Sequence, residues 1–177
     1  MKRFILATAV SLMFAPIVAS AKTPEQSLKA DGFTLPAPVK PIANYVTWRR
    51  AGNLLYLSGH GACEGKSVLG KLGQDVTVDQ GYDAAQLVGL CALATIKEAT
   101  GDLGMVKQVL QITGMVNATD DFTGHSLVIN GFSDIFVTAF GDDGKAARAA
   151  VGMSSLPGNM AVEVSAIIEL KGSKTLN

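Results

Sequence analysis

The chain lacks an excess of charge of either sign. Fifteen basic residues balance fifteen acidic ones across 177 residues. No run of Lys or Arg exceeds two, and beyond Lys2-Arg3 the one such pair is Arg49-Arg50. A nucleic-acid partner is not expected on this footing, because polyanion binding needs a basic patch or stripe. Charged residues of both signs make up only 17% of the chain, which suits a surface partly covered by other subunits. Histidine is equally scarce. His60 and His125 stand alone, and no Cys/His cluster has metal-ligand spacing, so no metal site is expected. The two cysteines, Cys63 and Cys91, are too few for a disulfide framework. Cys63 lies in a Gly-rich loop and Cys91 in an apolar helical run, where a buried free thiol is ordinary. The residues alone leave a bridge between them open. Internal repeats and a second domain are also missing.

What is present begins with a leader pattern. Lys2 and Arg3 precede a mostly apolar stretch, Phe4 to Val18, and Ala19-Ser20-Ala21 is an A-x-A cleavage site. Residues 1–21 are therefore expected to be a secretory signal peptide, with a secreted or periplasmic destination and no membrane attachment after cleavage. The apolar stretch is too short and wrongly flanked for a spanning helix. Cleavage removes Lys2 and Arg3 and no acidic residue, so thirteen basic residues face fifteen acidic ones and the charge becomes −2. The remaining 156 residues suffice for one domain.

Residues 22–34 read as a polar N-terminal arm or one short helical turn, and 172–177 as a tail. Pro36, Pro38 and Pro41 make an extended lead-in. Tyr45–Arg50 and Leu54–Ser58, joined by Ala51-Gly52-Asn53, predict a hairpin. Gly59 to Gly73 holds five glycines, a loop that lets backbone approach something closely. Thr77-x-x-Gln80 is a capping box opening the longest helix, which Gly101 stops. Val106–Val116 reads as a strand, Asn117–Leu127 as loop and Val128–Phe140 as a second helix. From Met160 to Glu169 apolar residues alternate with others in the cleanest period of two in the chain. The order predicts an α+β domain, a mixed sheet with two helices on one face. The other face then needs cover, which sheets of further subunits would supply.

Arg148 to Glu163 contains the main chemical signal. Two strand-like runs flank Leu156-Pro157-Gly158-Asn159, a hairpin signal, and such a hairpin sets Arg148 and Glu163 nearly opposite each other. A guanidinium fork can hold a carboxylate by two parallel hydrogen bonds, and a neighbouring carboxylate can position or deprotonate water. Cross-strand Arg/Glu pairs are also common structural ion pairs.

These blocks together resemble the Rid family (RidA/YjgF type, also called L-PSP endoribonucleases or translation inhibitors). The likeness spans roughly Leu35 to Leu170, within an expected Rid-like domain at 35–171. It rests on Arg148 through Leu156-Pro157 to Glu163, on Pro41-Ile42-Ala43-Asn44-Tyr45-Val46 and on Tyr56-Leu57-Ser58-Gly59. Lys71-Leu72-Gly73 with the following helix, and Val128-Ile129-Asn130-Gly131, add to it. The resemblance implies a fold like trimeric bacterial chorismate mutase and a homotrimer with clefts between subunits. It implies hydrolysis of small carboxylated enamines or imines to 2-keto acids and ammonia, with no cofactor. By resemblance Arg148 clamps the substrate carboxylate and Glu163 handles the water. Tyr45, Ser58 and Asn130, the last opening the second helix, line the cleft. Three departures stand out: Ala150 replaces a frequent cysteine, His60 replaces the usual Gln and is a candidate ligand contact, and Asp120–Asn130 is longer. A non-catalytic small-carboxylate binding protein keeps the Arg148 clamp without turnover. Ribonuclease activity fits poorly, since the chain lacks a basic groove and a paired-histidine acid/base set.

Overall fold

A computed structural model describes residues 22–172; the leader reading at 1–21 and most of the 172–177 tail lie outside the described residues. Helix α1 (Pro24–Ala30) is opened by a Thr23/Gln26 capping box, and its Leu28 is buried in the core. Strands β1 (Trp48–Ala51) and β2 (Leu54–His60) form the expected hairpin. Helix α2 (Val78–Thr100) starts where Thr77 and Gln80 cap each other reciprocally and ends at left-handed Gly101. Strand β3 spans Val106–Asn117. Helix α3 covers His125–Phe140, starting three residues before the position that apolar spacing indicates. Strands β4 (Ala147–Met153) and β5 (Val162–Leu170) follow.

The sheet has the order β1-β2-β5-β3-β4. Among the strands of the described residues β3 and β4 pair in parallel and the other pairs are antiparallel, so the sheet is mixed as expected. The pairing of the last two strands corrects the sequence reading. Arg148 and Glu163 do not face each other across a hairpin, because β3 lies between β4 and β5. The turn around Leu156–Asn159 carries the chain across one intervening strand.

One sheet face is covered by α2 and α3. On β5, Val162, Val164, Ala166, Ile168 and Leu170 are buried there, and the alternate residues are half-buried on the other face. Phe132 and Phe136 of α3, stacked at 4.5 Å between ring centroids, are fully buried in this layer. The helices cross closely at Gly131, where a side chain would overlap the Tyr82 carbonyl of α2. The open face carries Tyr56, Gln111, Thr113, Ser165 and Ile167 around a shallow cavity of about 200 Å³.

Cys63 and Cys91 form a disulfide, which decides the question that composition left open. It ties the loop after β2 to the middle of α2. Cys91 is fully buried, as its apolar run implies, but it is bridged and not free. Among the described residues no helix is long and apolar enough to cross a membrane.

Candidate functional site

Register on β3 determines which residues meet. Arg148 of β4 lies beside Ile112, and Glu163 of β5 lies beside Met115. Ile112 is buried under the helices, as is Gly114, whose missing side chain leaves room for Ile129 of α3. Met115 is one pleat later and faces the open side. Arg148 therefore projects to the helix side and Glu163 to the open side. Their positions also differ by about 10 Å along the strands and about 10 Å across them. One protomer does not bring the two together.

Arg148 is instead gathered with residues of α3. One terminal nitrogen, Nη1, donates to Asn130 Oδ1 and to Ser133 Oγ, each at 2.9 Å. Asn130 and Ser133 are three apart on the helix and so share a face toward β4. Nε and Nη2 have no protein partner among the described residues. That free edge is the one that accepts a carboxylate bidentately. Asn130 lies in the second turn of α3, not at its opening, and its amide oxygen is used on the arginine. Ser133 was not singled out from sequence, although its spacing from Asn130 is a readable signal.

Glu163 sits in a different setting. A side chain at Gly59 would overlap its carboxylate, so bare backbone of β2 lies directly over it. Burial alone raises its pKa above the usual carboxylate range. A half-buried carboxylate with a raised pKa is a stronger proton acceptor than an exposed one. Next to it, the Ser58 hydroxyl donates to the Val46 carbonyl at 2.6 Å, and the Ser58 N–H donates to the Thr47 carbonyl at 3.0 Å. Tyr45, adjacent to Val46 in the chain, is 45% exposed on the segment leading into β1. The structure thus groups Ser58 and Glu163 near the Val46 end of β2, and Arg148 with Asn130 at the β4 edge.

His60 is the correction among the candidate ligand contacts. It is only 2% exposed, on the helix side of β2. Its Nδ1 lies 2.8 Å from the Ser58 carbonyl oxygen and its Nε2 3.0 Å from the Thr95 hydroxyl of α2. Both ring nitrogens are used internally, and none remains for a ligand. Burial lowers its pKa, opposed in part by the Ser58 carbonyl, so the neutral ring is favoured. Nδ1 then donates to Ser58, and Nε2 accepts from Thr95. No group of three His, Cys, Asp or Glu side chains among the described residues is arranged to hold a metal ion.

Comparison with known proteins adds an independent line. A profile of the YjgF/chorismate mutase-like endoribonuclease family matches residues 25–170. Protein TCP17 of Trypanosoma cruzi is 38% identical over 161 residues, covering 87% of this chain and 98% of that protein. A protein of unknown function from Agrobacterium tumefaciens has a crystal structure that superposes with a TM-score of 0.77. It is 43% identical and covers 84% of this chain and 94% of its own. A candidate endoribonuclease from Shewanella oneidensis superposes at 0.81 with 33% identity, covering 84% of this chain and all of that one.

Proposed function

This chain belongs to the YjgF/chorismate mutase-like endoribonuclease family, and from that premise we propose that it hydrolyses small carboxylated imines and enamines to 2-keto acids and ammonia. The free Nε/Nη2 edge of Arg148 carries the reading. Asn130 and Ser133 hold the guanidinium from one side, so it reaches a ligand already oriented and loses less side-chain entropy on binding. It offers two parallel donors to a carboxylate.

Water then adds to the electrophilic imine carbon. Glu163 accepts a proton from that water, and the imine nitrogen takes up one proton. The resulting carbinolamine collapses: Glu163 gives its proton to the amine nitrogen and takes up the hydroxyl proton, the C–N bond breaks, and ammonia leaves the 2-keto acid. The raised pKa of Glu163 suits it to receive and return the proton. Such a step needs alignment more than chemical force.

Because Arg148 and Glu163 occupy opposite sheet faces, the reaction needs a cleft completed by a second copy. Members of this family are typically homo-oligomeric, and we place this cleft in a homotrimer. The uncovered sheet face and the low charged fraction of the chain as a whole support that assembly. The leader pattern, together with the Cys63–Cys91 bridge, supports export to an oxidising compartment, secreted or periplasmic.

Purified protein should accelerate keto-acid release from imines generated by an amino-acid oxidase. Arg148→Ala should raise KM at least tenfold, in line with loss of a charge-assisted bidentate pair. Equal kinetics for the two proteins would remove Arg148 from the site. A second reading keeps the same clamp without turnover: a small-carboxylate binding protein. The placement of Arg148 apart from Glu163 within the protomer favours it. In that case a 2-keto acid raises Tm for wild type, not for Arg148→Ala, and every imine survives unchanged.

A further inference from the structure

Glu163 depends on an irregularity in the neighbouring strand. Along β2, Leu57 pairs with Ala166 and His60 with Val164. Three steps of β2 therefore oppose two of β5, so one residue is extra, a β-bulge at Ser58-Gly59. The bulge brings Gly59 backbone onto the Glu163 carboxylate, where any side chain would collide. A bulge also interrupts ladder hydrogen bonds and leaves local backbone groups in need of partners.

The partner is the buried histidine. His60 turns back two residues to the Ser58 carbonyl, 2.8 Å from Nδ1, and is held from beneath by Thr95, 3.0 Å from Nε2. Thr95 sits one helical turn after Cys91 in α2, so the helix itself joins the two. Cys91 is in turn bonded to Cys63, three residues beyond His60. Bulge, histidine, threonine, helix turn and disulfide close a ring between the end of β2 and α2.

We infer that His60 is a positioning residue: braced by Thr95 and the Cys63–Cys91 bridge, it holds the Ser58-Gly59 bulge and thereby the Glu163 carboxylate. This rests on the reading of Glu163 as the group that handles water. His60 touches no substrate and acts only through Gly59. Removing it should disturb kcat, which depends on Glu163, and spare KM, which depends on Arg148.

The test uses the full mature protein, with wild type, His60→Leu and His60→Gln compared. Glutamine can donate its amide N–H to Ser58 and accept from Thr95, whereas leucine fills the space without bonds. A 13C NMR titration of the Glu163 carboxyl is the primary readout. His60→Leu should move its midpoint downward toward the ordinary carboxylate range, as the carboxylate gains water, and His60→Gln should keep the wild-type midpoint. In the imine assay His60→Leu should lose about 10- to 100-fold in kcat with KM unchanged within about twofold. An unmoved Glu163 midpoint in folded His60→Leu would overturn the inference. If His60→Leu does not fold, Thr95→Val is read by the same titration with the same two outcomes. Absence of imine turnover by wild type would defeat the proposed reaction alone, because the titration needs no turnover.

Discussion

Breaking the Cys63–Cys91 bridge should lower the stability of the protein by an amount set by the length of chain it closes. The bridge closes a segment with a sequence separation of 28 residues. In the chain-entropy treatment, a loop of that size restricts the unfolded chain by about 3.6 kcal/mol at 25 °C. The folded state is expected to change less than the unfolded one, because both cysteines are buried and reduction requires the two sulfurs only to part to van der Waals contact. Nearly the whole effect should therefore fall on the unfolded ensemble. For a domain of this size the loss corresponds to a fall in Tm of about 7–14 °C. The experiment compares oxidised protein with protein reduced in denaturant and refolded under reductant, at one protomer concentration so that assembly contributes equally. Urea unfolding should give a lower midpoint for the reduced form, and a larger slope because its unfolded chain is more expanded. Without denaturant, reduction should be slow and follow local opening, since Cys91 has no exposed surface. Two titratable thiols in protein purified from an oxidising compartment would refute the reasoning. So would stabilities of the two forms that agree within about 0.5 kcal/mol.

Three further outcomes follow from single positions. Gly59→Ala should cost less than about 1 kcal/mol of stability, because the displaced atoms are the far end of a flexible side chain, yet it should depress kcat by moving the Glu163 carboxylate; a thermal melt and the imine assay on one sample separate the two. Gly131→Ala should destabilise by about 1–3 kcal/mol, because the new methyl meets the fixed Tyr82 carbonyl at the α2/α3 crossing; unchanged urea unfolding would show that the helices can part without cost. The His60 pKa is lowered on folding by burial, so the unfolded chain binds the proton more readily. Stability from this residue is present above the ordinary imidazole value of 6.5 and is lost as pH falls through the depressed folded value. Wild type should accordingly lose stability relative to His60→Gln as pH drops through that window, and parallel pH–stability curves across it would count against a buried neutral ring.

Much of the architecture is written locally. The Thr77/Gln80 capping box and Gly101 bound α2 because they answer the unpaired backbone groups at its two ends. The period of two from Val162 to Leu170 assigns β5 its buried and open faces by itself. The identities of Arg148 and Asn130 were readable too, and their contact needed only the α3/β4 packing. The first turn of α3 was not readable, because Gly124 makes no side-chain cap and Ser126 and Leu127 begin the helix on its exposed face.

The partner of β4 lay beyond local information. A turn between two strand-like runs is compatible with a hairpin, but pairing is decided by which strand offers a free edge, and β3 took the place between them. That choice put Arg148 and Glu163 on opposite faces. His60 shows the same limit at the scale of one residue. Alternation counted from Leu57 sends His60 outward, to where a ligand contact could be made. One inserted residue at Ser58-Gly59 reverses the count and turns the ring into the core beside Thr95. Residue types and spacing thus determined the helices, the strands and the chemical groups present. Only the tertiary structure decided which groups share a face, because pairing, register and bulges depend on contacts between distant parts of the chain.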